Sequence, residues 1–116
     1  MHTTLGIDRY NVSVGELTIS LVSKTVTFKG VLIQVEGFEY KILEYLMLRN
    51  GSPATYDVLV EHLSREGERI PRSTIRSLVS RWRARLGAQG MRYLPPTKRG
   101  GSYRLCAPKI RIRSSY

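Results

Sequence analysis

Along residues 16–21 apolar and polar side chains alternate, with Leu17, Ile19 and Leu21 on one side and Glu16, Thr18 and Ser20 on the other, the period of a half-buried strand. Val22, Ser23 and Lys24 lead into Thr25, Val26, Thr27 and Phe28, then a Lys29-Gly30 turn, then the apolar run VLIQV over 31–35. A small antiparallel meander is predicted, with Gly30 supplying the positive φ that a tight turn needs. The period then lengthens to about 3.6 residues in GFEYKILEYLMLRN. Phe38, Ile42, Tyr45 and Leu46 share one face of this first helix, with Glu36, Glu39, Lys41 and Glu44 mostly elsewhere, and Asn50-Gly51-Ser52-Pro53 stops it.

Thr55 reads as the N-cap of a short second helix, with Asp57 in its first turn, running through Val58, Leu59, His62 and Leu63. A polar connection containing Gly67 follows. Pro71 opens a third helix over about 71–86, and Gly87 stands just past its end. Beyond it, 91–94 and 102–106 read as two strands, joined by the basic tip Pro95-Pro96-Thr97-Lys98-Arg99-Gly100-Gly101. The whole is an α+β pattern with an N-terminal antiparallel sheet, three helices and a C-terminal β-hairpin. It divides into an N-terminal arm (1–13), one domain (14–106) and a basic C-terminal tail (107–116).

A chain of 116 residues, 41% of them hydrophobic, can fill one core. No run approaches the roughly 18 apolar residues that span a bilayer, and residues 1–11 lack a signal-type apolar segment. Cys106 is the only cysteine, so no intramolecular disulfide can form, and a soluble, cytoplasmic protein without membrane contact is expected. His2 and His62 sit where an exposed or satisfied imidazole is the ordinary reading, and Cys106 has no evident base near it. Clustered metal ligands are absent from the sequence. Neither an enzyme nor a cofactor or metal site is expected.

Charge changes the picture. Residues 1–64 carry five Lys or Arg against seven acids, whereas 65–116 carry fourteen against Glu66 and Glu68 alone, so the net +10 resides in the second half. Such a footprint fits a polyanionic partner. On the third helix Ile75, Val79, Trp82 and Leu86 form an apolar stripe, with Leu78 beside it. Opposite lie Ser73, Ser77, Ser80 and Ala84, all small, edged by Arg76 and Arg83 on one side and Arg81 and Arg85 on the other, with Arg72 at the helix start. Small side chains let a helix approach base edges in the major groove, about 12 Å wide, while arginines reach guanine or phosphate. A solvated arginine face is the plain alternative, but acids for i,i+4 pairing are missing after Glu68. Lys98 and Arg99, on a tip made tight by Gly100 and Gly101, suit a neighbouring groove or a phosphate.

From about residue 15 to 105 the sequence resembles the DNA-binding effector domains of the OmpR/PhoB family of bacterial response regulators. The likeness is carried in order by VEGFEYKILEYLMLRNGSPAT, TIRSLVSRWRARLG and KRGGSYRL. It implies a winged helix-turn-helix fold whose third helix enters the major groove and whose wing, about 95–102, reaches the adjacent minor groove of double-stranded DNA, regulating transcription. By this resemblance Ser73, Arg76, Ser80 and Arg81 face bases, Thr74 and Arg83 face phosphates, and Arg99 enters the minor groove. Tyr103 matches a wing aromatic that packs rather than reads. Residues 64–70 correspond to the loop that touches RNA polymerase in activators, and a homodimer on DNA is a further expectation.

Three features depart from the family's pattern. No receiver domain or phospho-acceptor is present in these residues, implying either a free-standing regulator or one domain cut from a larger protein. Leu78 and Trp82 stand where many members have histidine and leucine, and Arg76 where an acid is common, implying a different operator. Ser102 replaces a usual wing glycine. The alternating segment KIRIRSS reads as a basic arm adding sequence-independent affinity, or as an extra strand. A second functional class stays open, a basic interaction module docking RNA or an acidic protein such as the transcription machinery. Few aromatics interleave with its basic residues, which disfavours single-strand stacking.

Overall fold

The computed structural model describes residues 10–35, 37–64, 68–96 and 101–107. Four short strands, β1 (Asn11–Val14), β2 (Leu17–Ser20), β3 (Thr25–Phe28) and β4 (Val31–Ile33), form an antiparallel sheet in sequence order. Phe28 pairs with Val31 across Lys29 and Gly30, both at positive φ (54° and 79°), the two-residue turn whose twist matches that of its strands. The predicted alternation is present, with Leu17, Ile19 and Val26 fully buried. One strand lies where the sequence reading placed part of an arm: residues 11–13, with Val14, pair with β2, Val12 opposite Ile19 and Val14 opposite Leu17. Val12 and Val14 are only partly buried against the core, and two apolar residues in four give little periodic signal.

Helices α1 (Gly37–Leu48), α2 (Tyr56–Leu63) and α3 (Arg72–Arg85) pack on one another, and α1 meets the sheet at β1. Thr55 caps α2, its hydroxyl accepting the Val58 N–H at 3.2 Å. Pro71 precedes α3 as its N-cap rather than lying in its first turn, and Gly87 follows at φ 62°. Ile42, Leu43, Leu46 and Met47 of α1 meet Leu59, Val60 and Leu63 of α2 and Ile75, Leu78, Val79 and Trp82 of α3 in one core. Each fully buried side chain of this size contributes about 1.5–3 kcal/mol of hydrophobic stabilisation. Trp82 is core, and its indole N–H donates to the Glu39 carbonyl at 2.8 Å.

The C-terminal region departs from the two-strand expectation. Residues 91–94 are not a strand. A 3₁₀ turn (Gly87–Gln89) runs into a single helical turn, α4 (Gly90–Tyr93), with Tyr93 and Leu94 buried while Met91 and Arg92 are exposed. The later strand is shorter than 102–106: it is β6 (Ser102–Tyr103), and it pairs with β5 (Ala54–Thr55), immediately before α2. The two legs of the C-terminal hairpin are tied by the Cys106 N–H donating to the Tyr93 carbonyl at 3.0 Å. Lys98 and Arg99 of the predicted tip, residues 65–67 of the 64–70 connection, residues 1–9 of the N-terminal arm and the basic segment 108–116 lie outside the described residues.

Candidate nucleic-acid interface

The buried stripe of α3 fixes which flank faces outward. With Ile75, Leu78, Val79 and Trp82 turned into the core, Ser73, Ser77, Ser80 and Ala84 are exposed, Thr74 is half-buried, and Arg76 and Arg81 are exposed. Arg76, Ser77, Ser80, Arg81 and Ala84 line a shallow depression along the helix.

The arginines fall into different electrostatic settings. Arg72 donates to Asp57 at 2.8 Å, an exposed pair linking the starts of α3 and α2. Arg81 lies 3.6 Å from one Glu39 oxygen, with most of its side chain exposed. Arg85 is committed to the fold, donating to the Gln34 carbonyl at 2.7 Å and to the other Glu39 oxygen at 2.9 Å. Arg83 is half-buried; its Nε donates to the Leu94 carbonyl at 2.8 Å and its guanidinium lies 5.8 Å from the Tyr103 ring centre. Acids do therefore meet this helix, from α1 and α2 rather than from within α3.

Arg76 has no carboxylate within 4 Å among the described residues; its guanidinium lies 5.9 Å from the Tyr56 ring centre. Tyr56 and Tyr103 are buried, their rings edge to face at 5.3 Å and their hydroxyls 2.7 Å apart. Burial pushes the Tyr56 phenol up, but the Tyr103 hydrogen bond and the charges of Arg76 and Arg72 outweigh it and bring it below its ordinary value. Burial and the bond to Tyr56 hold Tyr103 above its own. Tyr103 packs as the resemblance implied. Tyr56 and Glu39 were not singled out by the sequence, because their partners are 47 and 46 residues away.

Among the described residues no helix is long and apolar enough to cross a membrane, and no group of three or more His, Cys, Asp or Glu is placed to hold a metal ion. His62 is exposed and stacks on Tyr45 at 4.3 Å, its imidazole held below its usual value by burial and by Lys41. Cys106 is half-buried, its Sγ 3.7 Å from the Arg92 carbonyl.

A helix with one buried and one bare flank, set beside a hairpin that pairs back to the strand before the preceding helix, defines a winged helix-turn-helix domain. Residues 30–105 match the family model described as "Transcriptional regulatory protein, C terminal", and the chain belongs to that family of OmpR/PhoB-type DNA-binding domains. The domain is accordingly a sequence-specific DNA-binding module of transcription regulation, not an enzyme. The cell cycle response regulator CtrA of Brucella anthropi is 30% identical over 105 residues, covering 90% of this chain. This chain spans only 45% of that relative's length. The response regulator DrrB of Thermotoga maritima, an OmpR/PhoB homologue, superposes with TM-score 0.74 at 22% identity over 84% of this chain and 45% of its own. The DNA-binding domain of the response regulator AdeR, solved in complex with an intercistronic region, superposes with TM-score 0.70 at 25% identity, over 84% of this chain and all of its own.

Proposed function

We propose that α3 lies in the major groove of duplex DNA, with Ser73, Arg76, Ser77, Ser80 and Arg81 toward base edges and Arg72, Thr74 and Arg83 toward phosphates. Lys98 and Arg99 of the wing take the adjacent minor groove. The observation that carries this reading is the exposed, small-residue flank of α3 edged by Arg76 and Arg81. At 14 residues the helix is about 21 Å long, enough to follow the groove across several base pairs. The complex of the AdeR domain with an intercistronic region supports DNA as the partner here.

On this reading Arg72 exchanges Asp57 for a phosphate, and Arg81 exchanges Glu39 for a base while Arg85 keeps that buried carboxylate satisfied. The protein acts in the cytoplasm, binds its operator as a homodimer, and offers residues 64–70 to RNA polymerase. The residues ahead of β1 and the tail (107–116) flank the binding unit, and the basic tail adds affinity without sequence preference.

Selection from a random duplex pool tests the reading. A recovered consensus supports it, and paired half-sites support the dimer. Neutralising about six phosphates gives a slope of log K against log salt near −5. No consensus, or tighter binding of structured RNA than of duplex at equal salt, overturns it.

A further inference from the structure

We propose that Tyr56 is a positioning residue for DNA recognition: clamped by Tyr103, its ring is the seat that holds Arg76 in the orientation in which it meets DNA. The proposal rests on the placement of α3 in the groove.

Tyr56 is the first residue of α2 and is fixed from three directions. Its N–H donates to the Gly101 carbonyl at 3.3 Å, its hydroxyl bonds that of Tyr103 at 2.7 Å, and its ring meets the Tyr103 ring edge to face. Arg72, Arg76 and Arg83 are spaced four and seven residues apart, so they share one side of α3, and that side lies along the tyrosine pair. Arg72 and Arg76 each stand 5.9 Å from the Tyr56 ring centre and Arg83 stands 5.8 Å from that of Tyr103.

The first and last of these have other partners. Arg72 has Asp57, and Arg83 has the Leu94 carbonyl. For Arg76 the contacts found among the described residues are with the tyrosine pair, the Tyr56 ring beneath it and the Tyr56 and Tyr103 hydroxyls beside it, and its head is in solvent. A guanidinium above an aromatic ring is attracted by the negative face while its outer N–H groups stay free. An arginine restrained in this way loses less freedom on meeting its target than one swinging in water, so the restraint appears as affinity.

Tyr56→Leu, Tyr56→Phe and Arg76→Ala, singly and combined, are titrated with a fluorescein-labelled duplex carrying the site selected above, with thermal midpoints recorded for each. Tyr56→Leu is expected to weaken binding about 3–5-fold with Arg76 present and to have almost no effect with Arg76→Ala. Tyr56→Phe, which keeps the ring, stays within about twofold of the native protein. An equal loss with and without Arg76 means that Tyr56 serves stability alone and overturns the proposal. If Arg76→Ala weakens binding but Tyr56→Leu does not, the proposal falls and the groove reading stands. If Arg76→Ala changes nothing, both fall at this residue.

One measurement needs no variant. Nitrogen-15 relaxation of the Arg76 Nε–H in the free protein should show slower, more restricted motion than that of exposed Arg92. Equal mobility overturns the proposal.

Discussion

Arg85 at the end of α3 sets its Nη2 2.9 Å from Oε1 of Glu39 on α1, a carboxylate that is buried although it sits in a helix whose other acid, Glu44, is only half-buried. The Trp82 indole bonds the backbone of the same residue, so Glu39 pins the core side of α3 while its second oxygen faces Arg81. Glu39→Gln keeps the shape and removes the charge. It is expected to cost about 1–3 kcal/mol of stability by urea denaturation, because hydrogen bonds to charged groups are the stronger ones. Its affinity for random-sequence duplex should rise, since Arg81 and Arg85 lose their acid. A variant as stable as the native chain would show that the pair contributes nothing to the fold.

Gly90 starts α4 directly against α3. A Cβ at this position would lie 2.1 Å from the Arg83 carbonyl oxygen and 2.8 Å from its carbon, both backbone atoms of a packed helix. Only glycine lets the turn fold back so closely. Gly90→Ala should therefore destabilise by about 1–3 kcal/mol or more, the cost of overpacking where neither side can yield, read as a lower urea midpoint. It should also weaken DNA binding, because the hairpin leg follows α4 directly. An unchanged midpoint would mean that α4 is not held against α3.

Arg81 and Arg83 sit two residues apart on one helix and should fail differently. Arg81 is exposed beside the serine strip, whereas Arg83 is half-buried and braces the hairpin leg through Leu94. Arg81→Ala should leave stability within about 0.5 kcal/mol and flatten discrimination between the selected site and its single-base variants. Arg83→Ala should weaken all duplexes alike and also lower the urea midpoint, losing its bond and its packing on Tyr103. Binding profiles across a panel of duplexes separate the two, and identical profiles would sink the assignment.

Why some of this was legible and some was not follows from particular residues. The stripe of Ile75, Val79, Trp82 and Leu86 repeats over enough of α3 to fix both its helical state and its outward flank. Thr55 signalled α2 through cap chemistry that acts within three residues. By contrast MRYL over 91–94 alternates much as a strand does for only four positions, and Gly90 against the Arg83 backbone decides it as a helical turn. β5 has two residues, no period to read, and a partner at Tyr103 that only the folded chain brings near. Glu39 looked like solvent-facing polarity because nothing near it in sequence foretells Arg85. Local signals were readable, whereas those that depend on distant partners were not.

Alkaline titration should expose the junction between sheet and α1. The Tyr40 hydroxyl is 3.3 Å from the Ser20 carbonyl and 3.2 Å from a Glu44 oxygen, with the Lys24 Nζ 5.5 Å from its ring centre and 3.4 Å from that same Glu44 oxygen. Burial and then the Glu44 charge hold the phenol protonated, raising it from its ordinary 10.0 to about 12. The folded chain thus keeps a proton that the unfolded chain releases first. Below pH 10 the stabilisation is complete; as pH rises from 10 toward about 12 the unfolded state gains by ionising, and the contribution is lost. The informative quantity is the difference between the native chain and Tyr40→Phe. That difference should shrink steadily across this window in urea midpoints recorded at successive pH values. A difference independent of pH would show that Tyr40 ionises as freely in the fold as in the open chain, and that Glu44 is not facing it.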